Sequence, residues 1–159
     1  MICEKLEGTL DNLYTCGKKI EYVNIEWHEA FKKIHKKVTD EGREVGIRMD
    51  DWVLTRGLHE GDVIYVNDSL VIAVHTPPCE VIRILVTQNL KKMIPKVCYE
   101  IGNRHAPLFY GDQEGVFITP YNEPMLMMLS KMEGVTVQKK IEILNFHEKI
   151  SASVHSHHH

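Results

Sequence analysis

Between residues 33 and 49 the chain alternates: Ile34, Lys36 and Val38 fall on one parity, Asp40-Glu-Gly42 interrupts, and Val45, Ile47 and Met49 resume the run. A period of two belongs to a strand with one buried face, so the spacing predicts a hairpin with Ile34 and Val38 turned to the core. A second hairpin is expected in GDVIYVNDSLVIAVH, where two β-rich runs flank Asn67-Asp68, residue types that accept left-handed turns. A short helical turn is expected near Trp27. Thr76-Pro77-Pro78 then stops regular structure, because tandem prolines continue neither a strand nor a helix, and a domain boundary is placed there.

Beyond the prolines the period changes along the chain. EVIRILV reads as a strand. Thr87 follows as a helix cap, and Leu90, Met93, Ile94, Val97 and Ile101 recur at helical spacing until Gly102-Asn103, residues suited to a left-handed helix end. PLFYG and GVFIT read as two strands around Asp112-Gln-Glu114. A second helix starts at Asn122 with Pro124 in its first turn and closes at Gly134. VTVQKKIEI ends the pattern as a strand with Val135, Val137, Ile141 and Ile143 on one face.

The order β-α-β-β-α-β is that of a ferredoxin-like domain, an antiparallel sheet with two helices on one face. The expected fold class is therefore α+β. A small all-β domain (1–76) precedes a ferredoxin-like domain (77–146), and a flexible histidine-bearing tail (147–159) follows.

Composition narrows the function by exclusion. Nineteen basic against 22 acidic residues leave a net charge of -3, with no global electrostatic case for nucleic acid. The opening MICEKLEGTLDNLY breaks each apolar run with a charge or glycine, so neither a signal core nor a membrane span is expected, and the expected compartment is the cytoplasm. Cys3, Cys16, Cys79 and Cys98 lack the close pairing of a zinc knuckle and read as small buried hydrophobes.

The candidate chemistry lies in histidines. His105 follows directly on a helix end, where carbonyls and the macrodipole favour a cation, with Arg104 able to take the same role and to pair with Glu100. One imidazole does not hold a transition metal, but a two-fold dimer with His105 near its axis presents it twice. His155, His157, His158 and His159 are placed to complete such a site. A terminal histidine run also has the look of an affinity tag, although three in a row after SVHS, without a familiar linker, are fewer than a tag usually carries. His147, in NFHEK, is a further candidate ligand or a plain surface histidine.

CYEIGNRHAPLFYG resembles the signature of the urease accessory metallochaperones that deliver nickel, the family called UreE, and the likeness in organisation spans the chain. The resemblance implies a non-enzymatic nickel carrier with His105 as the dimer-interface ligand and the tail histidines as its metal-recruiting extension. It also implies a homodimer, a tetramer where two dimers join around one ion, and two partners: the urease accessory GTPase and the accessory complex on apo-urease. FITPY departs from relatives with further histidines there, since Thr119 and Tyr121 are poor nickel ligands.

Nitrogen donors suit Ni(2+), and Zn(2+) or Cu(2+) should bind in vitro, because raw affinity does not rank nickel first. Protons compete for imidazoles, so binding should weaken below about pH 6.5. A hydrolase would need a fixed ligand set and a positioned base, and HEAF at His28 lacks a second histidine at helical spacing. The other rival is a ferredoxin-like protein- or RNA-binding module with incidental metal affinity. Phe109 and Tyr110 stand where such sheets present aromatics, without the basic signature. Trp27 and the run Lys32, Lys33, Lys36 and Lys37 are candidates for partner contact or ordinary solvated surface.

Overall fold

The computed structural model describes residues 1–150, which fall into two units, Met1–Pro77 and one that begins at Pro78. The first holds β1 (Ile2–Cys3), β2 (Gly8–Thr9), β3 (Lys19–Asn24), β4 (Ile34–Val38), β5 (Glu44–Arg48), the four-residue helix α1 (Val53–Arg56), β6 (Asp62–Val66) and β7 (Leu70–His75). They form two sheets, β1-β5-β4 and β2-β6-β7-β3, in which β1–β5 and β3–β7 are parallel. Those parallel pairs, and α1, are absent from the expectation of hairpins alone. The 3-10 turn Trp27–Glu29 does form, locked by Glu29 accepting from the Glu26 N–H at 3.1 Å.

Both hairpins exist, but two details are corrected. In the first, His35 lies opposite Ile47 and Lys37 opposite Val45, and cross-strand partners share a face. Ile47 and Val45 are buried, so His35 and Lys37 point inward while Ile34 and Val38 stand 72% and 58% exposed, the reverse of the expected facing. The inward polar groups are satisfied. His35 Nε2 donates to the Lys32 carbonyl at 3.0 Å, and the Lys37 ammonium reaches both Glu29 carboxylate oxygens at 2.9 and 3.0 Å. In the second hairpin neither Asn67 nor Asp68 is left-handed; the Asn67 side chain accepts from the Ser69 and Leu70 N–H groups at 2.9 and 2.7 Å and closes the turn itself.

The second unit runs β8 (Cys79–Val86), α2 (Leu90–Asn103), β9 (Phe109–Tyr110), β10 (Val116–Pro120), α3 (Glu123–Ser130) and β11 (Val135–Glu142). Its sheet is antiparallel in the order β11-β8-β10-β9. Ile82, Ile84 and Val86 of β8 pack with Val97 and Ile101 of α2 and with Met125 and Leu129 of α3, as the apolar spacings require. Asn122 caps α3 by accepting from Met125 N–H at 3.0 Å.

Three expectations fail here. Thr87 does not cap α2: its N–H and hydroxyl both donate to the Gly134 carbonyl, at 2.8 and 3.1 Å, and Asn89, with φ 51°, leads the helix in. Gly102 and Asn103 are not the left-handed terminators, since both still lie in the helix. On β11, Val135 and Val137 pack on the core, but Ile141 is 72% exposed, and Lys139 between them sits over the Tyr121 ring at 4.1 Å.

The opposite face of this sheet carries a second apolar layer that no spacing announced. After β11 the chain turns back through Leu144 and the 3-10 turn Phe146–Glu148, and Phe146 stacks on Phe109 with centroids 6.2 Å apart. Lys149 bridges to Phe109, and the Ile150 N–H donates to the Leu108 carbonyl at 2.7 Å.

Candidate metal centre

The end of α2 is built by two backbone bonds: His105 N–H to the Gly102 carbonyl at 2.9 Å and Ala106 N–H to the Ile101 carbonyl at 3.3 Å. This pair is a Schellman closure with Arg104 as the C-cap residue. Its left-handed position, usually given to glycine, is held by His105 at φ 59°. A β-carbon there costs about 1–2 kcal/mol, so the site keeps an imidazole where the backbone favours its absence. Ala106 packs on the same core as Ile101, which fixes the direction of the turn.

Loop residues beyond His105 are tied down from two sides. The buried Thr119 hydroxyl donates to the Pro107 carbonyl at 2.7 Å, and Ile150 holds Leu108. Thr119, read from sequence only as a poor ligand, is thus a positioning residue for the histidine loop. Its signal was its chemistry, a hydroxyl within an apolar strand; its partner is visible only in the fold. Tyr121 is engaged with Lys139 instead.

The expected cation at the helix end is present as Arg104. Its guanidinium donates to the Glu100 carbonyl at 3.0 Å and to the Glu100 carboxylate at 2.8 Å, the pair anticipated from spacing. The Glu100, Ile101 and Gly102 carbonyls all accept hydrogen bonds, and the macrodipole adds its pull on a further cation at this end. Cys98 is half-buried and packs on the core, and burial raises its thiol above the ordinary range.

His105 is exposed, as are Asn103 and His147. About one helical turn before it stands Gly102, whose imagined β-carbon meets no atom within 4 Å, and a turn earlier Tyr99, 69% exposed. Nothing inside this unit explains a glycine there, at a helix position where alanine is more favourable. His147 lies on the 3-10 turn of the return segment, its N–H donating to Asn145 Oδ1 at 3.0 Å. Among the described residues no three His, Cys, Asp or Glu side chains gather as a metal-holding group. His155, His157, His158 and His159 lie outside the described residues.

Comparison with known proteins accounts for both units. The model of the UreE urease accessory protein N-terminal domain matches residues 4–76, and that of its C-terminal domain matches residues 79–159. The urease accessory protein UreE of Helicobacter acinonychis is 36% identical over 154 residues, covering 97% of this chain and 88% of its own. That of Helicobacter pylori strain Shi470 is 39% identical over 132 residues (83% and 76%), and that of Acetivibrio thermocellus 39% over 140 (88% and 86%). No helix among the described residues is long and apolar enough to cross a membrane.

Proposed function

The chain belongs to the UreE urease accessory protein family, and we propose that it is a nickel metallochaperone that hands Ni(2+) to the urease active site during assembly. The ion is cargo. It is held by His105 from both subunits of a homodimer, with donors from His155, His157, His158 and His159, and it is released without catalysis.

The observation that carries this reading is the left-handed, exposed His105. The family signature alone does not require strain, and a histidine kept at a position that glycine would fill better serves its side chain, not the backbone. The exposed Tyr99 and the open Gly102 on the last two turns of α2 suit the close approach of a second copy.

Chain arithmetic supports the tail. At most about 11 Å of backbone separates His105 from Leu108, to which Ile150 is bonded, whereas residues 150–155 span up to about 17 Å when extended. Tail imidazoles therefore have the reach to meet His105. His147, on the same return segment, is the further donor. Ligands that leave one by one let a receiving protein take the ion stepwise.

The remaining assignments follow the family. We read the second unit as ferredoxin-like, since its strand order is fourth, first, third, second. The first unit contacts the maturation machinery, namely the accessory GTPase and the accessory complex on apo-urease, and the protein works in the cytoplasm. Zn(2+) or Cu(2+) should occupy the same donors in vitro.

Nickel titration calorimetry on the dimer, with X-ray absorption before and after removal of the residues beyond Val154, tests the reading. His105→Ala should lose the shared ion, and truncation should lower the number of imidazole ligands. Unchanged affinity and stoichiometry in His105→Ala would refute it.

A further inference from the structure

The sheet of the second unit ends on one side at β11, an edge strand of eight residues. Thr87 N–H donates to the Gly134 carbonyl at 2.8 Å, and in the same register Thr136, Gln138, Lys140 and Glu142 lie opposite Leu85, Arg83, Val81 and Cys79. Bonded pairs alternate along an antiparallel ladder, so the even residues of β11 direct their backbone groups to β8. Those of Val137, Lys139 and Ile141 point outward. Among the described residues no backbone group bonds to these three from that side.

The side chains along this edge carry a pattern that the unit itself does not use. Ile141 and Ile143, on one face, stand 72% and 46% exposed, although apolar strand edges invite pairing and are normally blunted. Lys139 is engaged within its own unit, over the Tyr121 ring and 3.4 Å from the Glu80 carboxylate. Lys140 and Glu142, on the other face, form no ion pair among the described residues.

We propose that β11 pairs edge to edge with β11 of a second copy of this chain, antiparallel about a two-fold axis at Ile141. That register sets Ile141 against Ile141 and Lys139 against Ile143, and it sets each Lys140 against the Glu142 of the other copy, two ion pairs from one symmetric contact. Centring on Lys139, Lys140 or Glu142 sets like charges opposite each other. Centring on Gln138 brings Ile141 to Val135, whose N–H is already taken by the Met132 carbonyl. Charge thus selects both the partner and the register. β9, which the His105 loop enters, is the opposite edge of the sheet, so the contact is independent of the shared metal site and links dimers into larger assemblies.

The test is sedimentation velocity on the full chain, metal-free with a chelator present, across a dilution series. The parent protein should show a concentration-dependent step that doubles its mass, with amide exchange at Lys139 and Ile141 slowing as it forms. Lys140→Glu and Glu142→Lys each turn both cross-strand pairs into like charges, and either variant alone should associate about tenfold more weakly. Mixed in equal amounts they restore opposite charges at both pairs and should recover the parent step, a readout that loss of structure would not produce. Ile141→Pro removes an outward donor without touching the ladder to β8 and should abolish the step, whereas His105→Ala should leave it in place. Absence of the step in the parent, indifference to the charge variants, failure of the mixture to recover it, or its loss in His105→Ala would each overturn the proposal.

Discussion

Replacing His105 by glycine should pull stability and metal binding in opposite directions. At φ 59° the histidine β-carbon costs about 1–2 kcal/mol, and glycine removes that cost. The greater freedom of glycine in the unfolded chain offsets about 0.5–1 kcal/mol of the gain. About 0–1.5 kcal/mol remains in favour of glycine, because the two closing bonds use only backbone groups and survive the change. For a unit of about 80 residues each kcal/mol of this gain raises the melting temperature by about 4–8 °C. Urea and thermal unfolding of metal-free protein at fixed protomer concentration read the stability, with His105→Ala as reference. The same samples, titrated with nickel, should show the shared ion lost in both variants. If His105→Gly melts no higher than His105→Ala, the strain argument fails. If it melts higher yet binds nickel like the parent protein, the imidazole is there for some other purpose.

Three further outcomes follow from single contacts. Gly102→Ala should strengthen α2 by up to about 1 kcal/mol in the isolated protomer, yet weaken the proposed dimer if a second copy packs over that turn, as sedimentation across a dilution series would register. Gly111→Ala should destabilise the second unit by about 1–3 kcal/mol in thermal melts, since its β-carbon would lie 2.4 Å from Val116 Cγ1 and 2.8 Å from the Val116 carbonyl. Burial holds His35 neutral by lowering its pKa, against the smaller opposing pull of the Lys32 carbonyl and of Glu29, with Lys37 and Lys32 adding to the depression. The unfolded chain then takes up the proton first, so the contribution of His35 is complete above about pH 6.5 and is lost as pH falls below it. His35→Gln should flatten the pH dependence of urea midpoints between about pH 7 and 5.

Much of the second unit was legible along the chain. Helical spacing from Leu90 to Ile101 has only one packing solution, and Asn122 with Pro124 is a local start signal that needs no distant partner. The GNRH stretch likewise carried the family. Where reading failed, the deciding contact was remote: Thr87 was taken by Gly134, 47 residues away, and the exposed end of β11 lay beyond the reach of an eight-residue helix.

Local preference settled the elements and the histidine at the helix end, because caps, turns and periodicity act over a few residues. Which side of β4 faces inward was decided only when Val45 and Ile47 paired with Lys37 and His35, since alternation defines two faces and does not say which one meets the core. In the same way His105 became left-handed because Ala106 had to reach the core beside Ile101, and the root of the tail came to that loop through the bond of Ile150 to Leu108. Such choices rest on contacts between distant residues, and these form only when the sheet and its two layers close together.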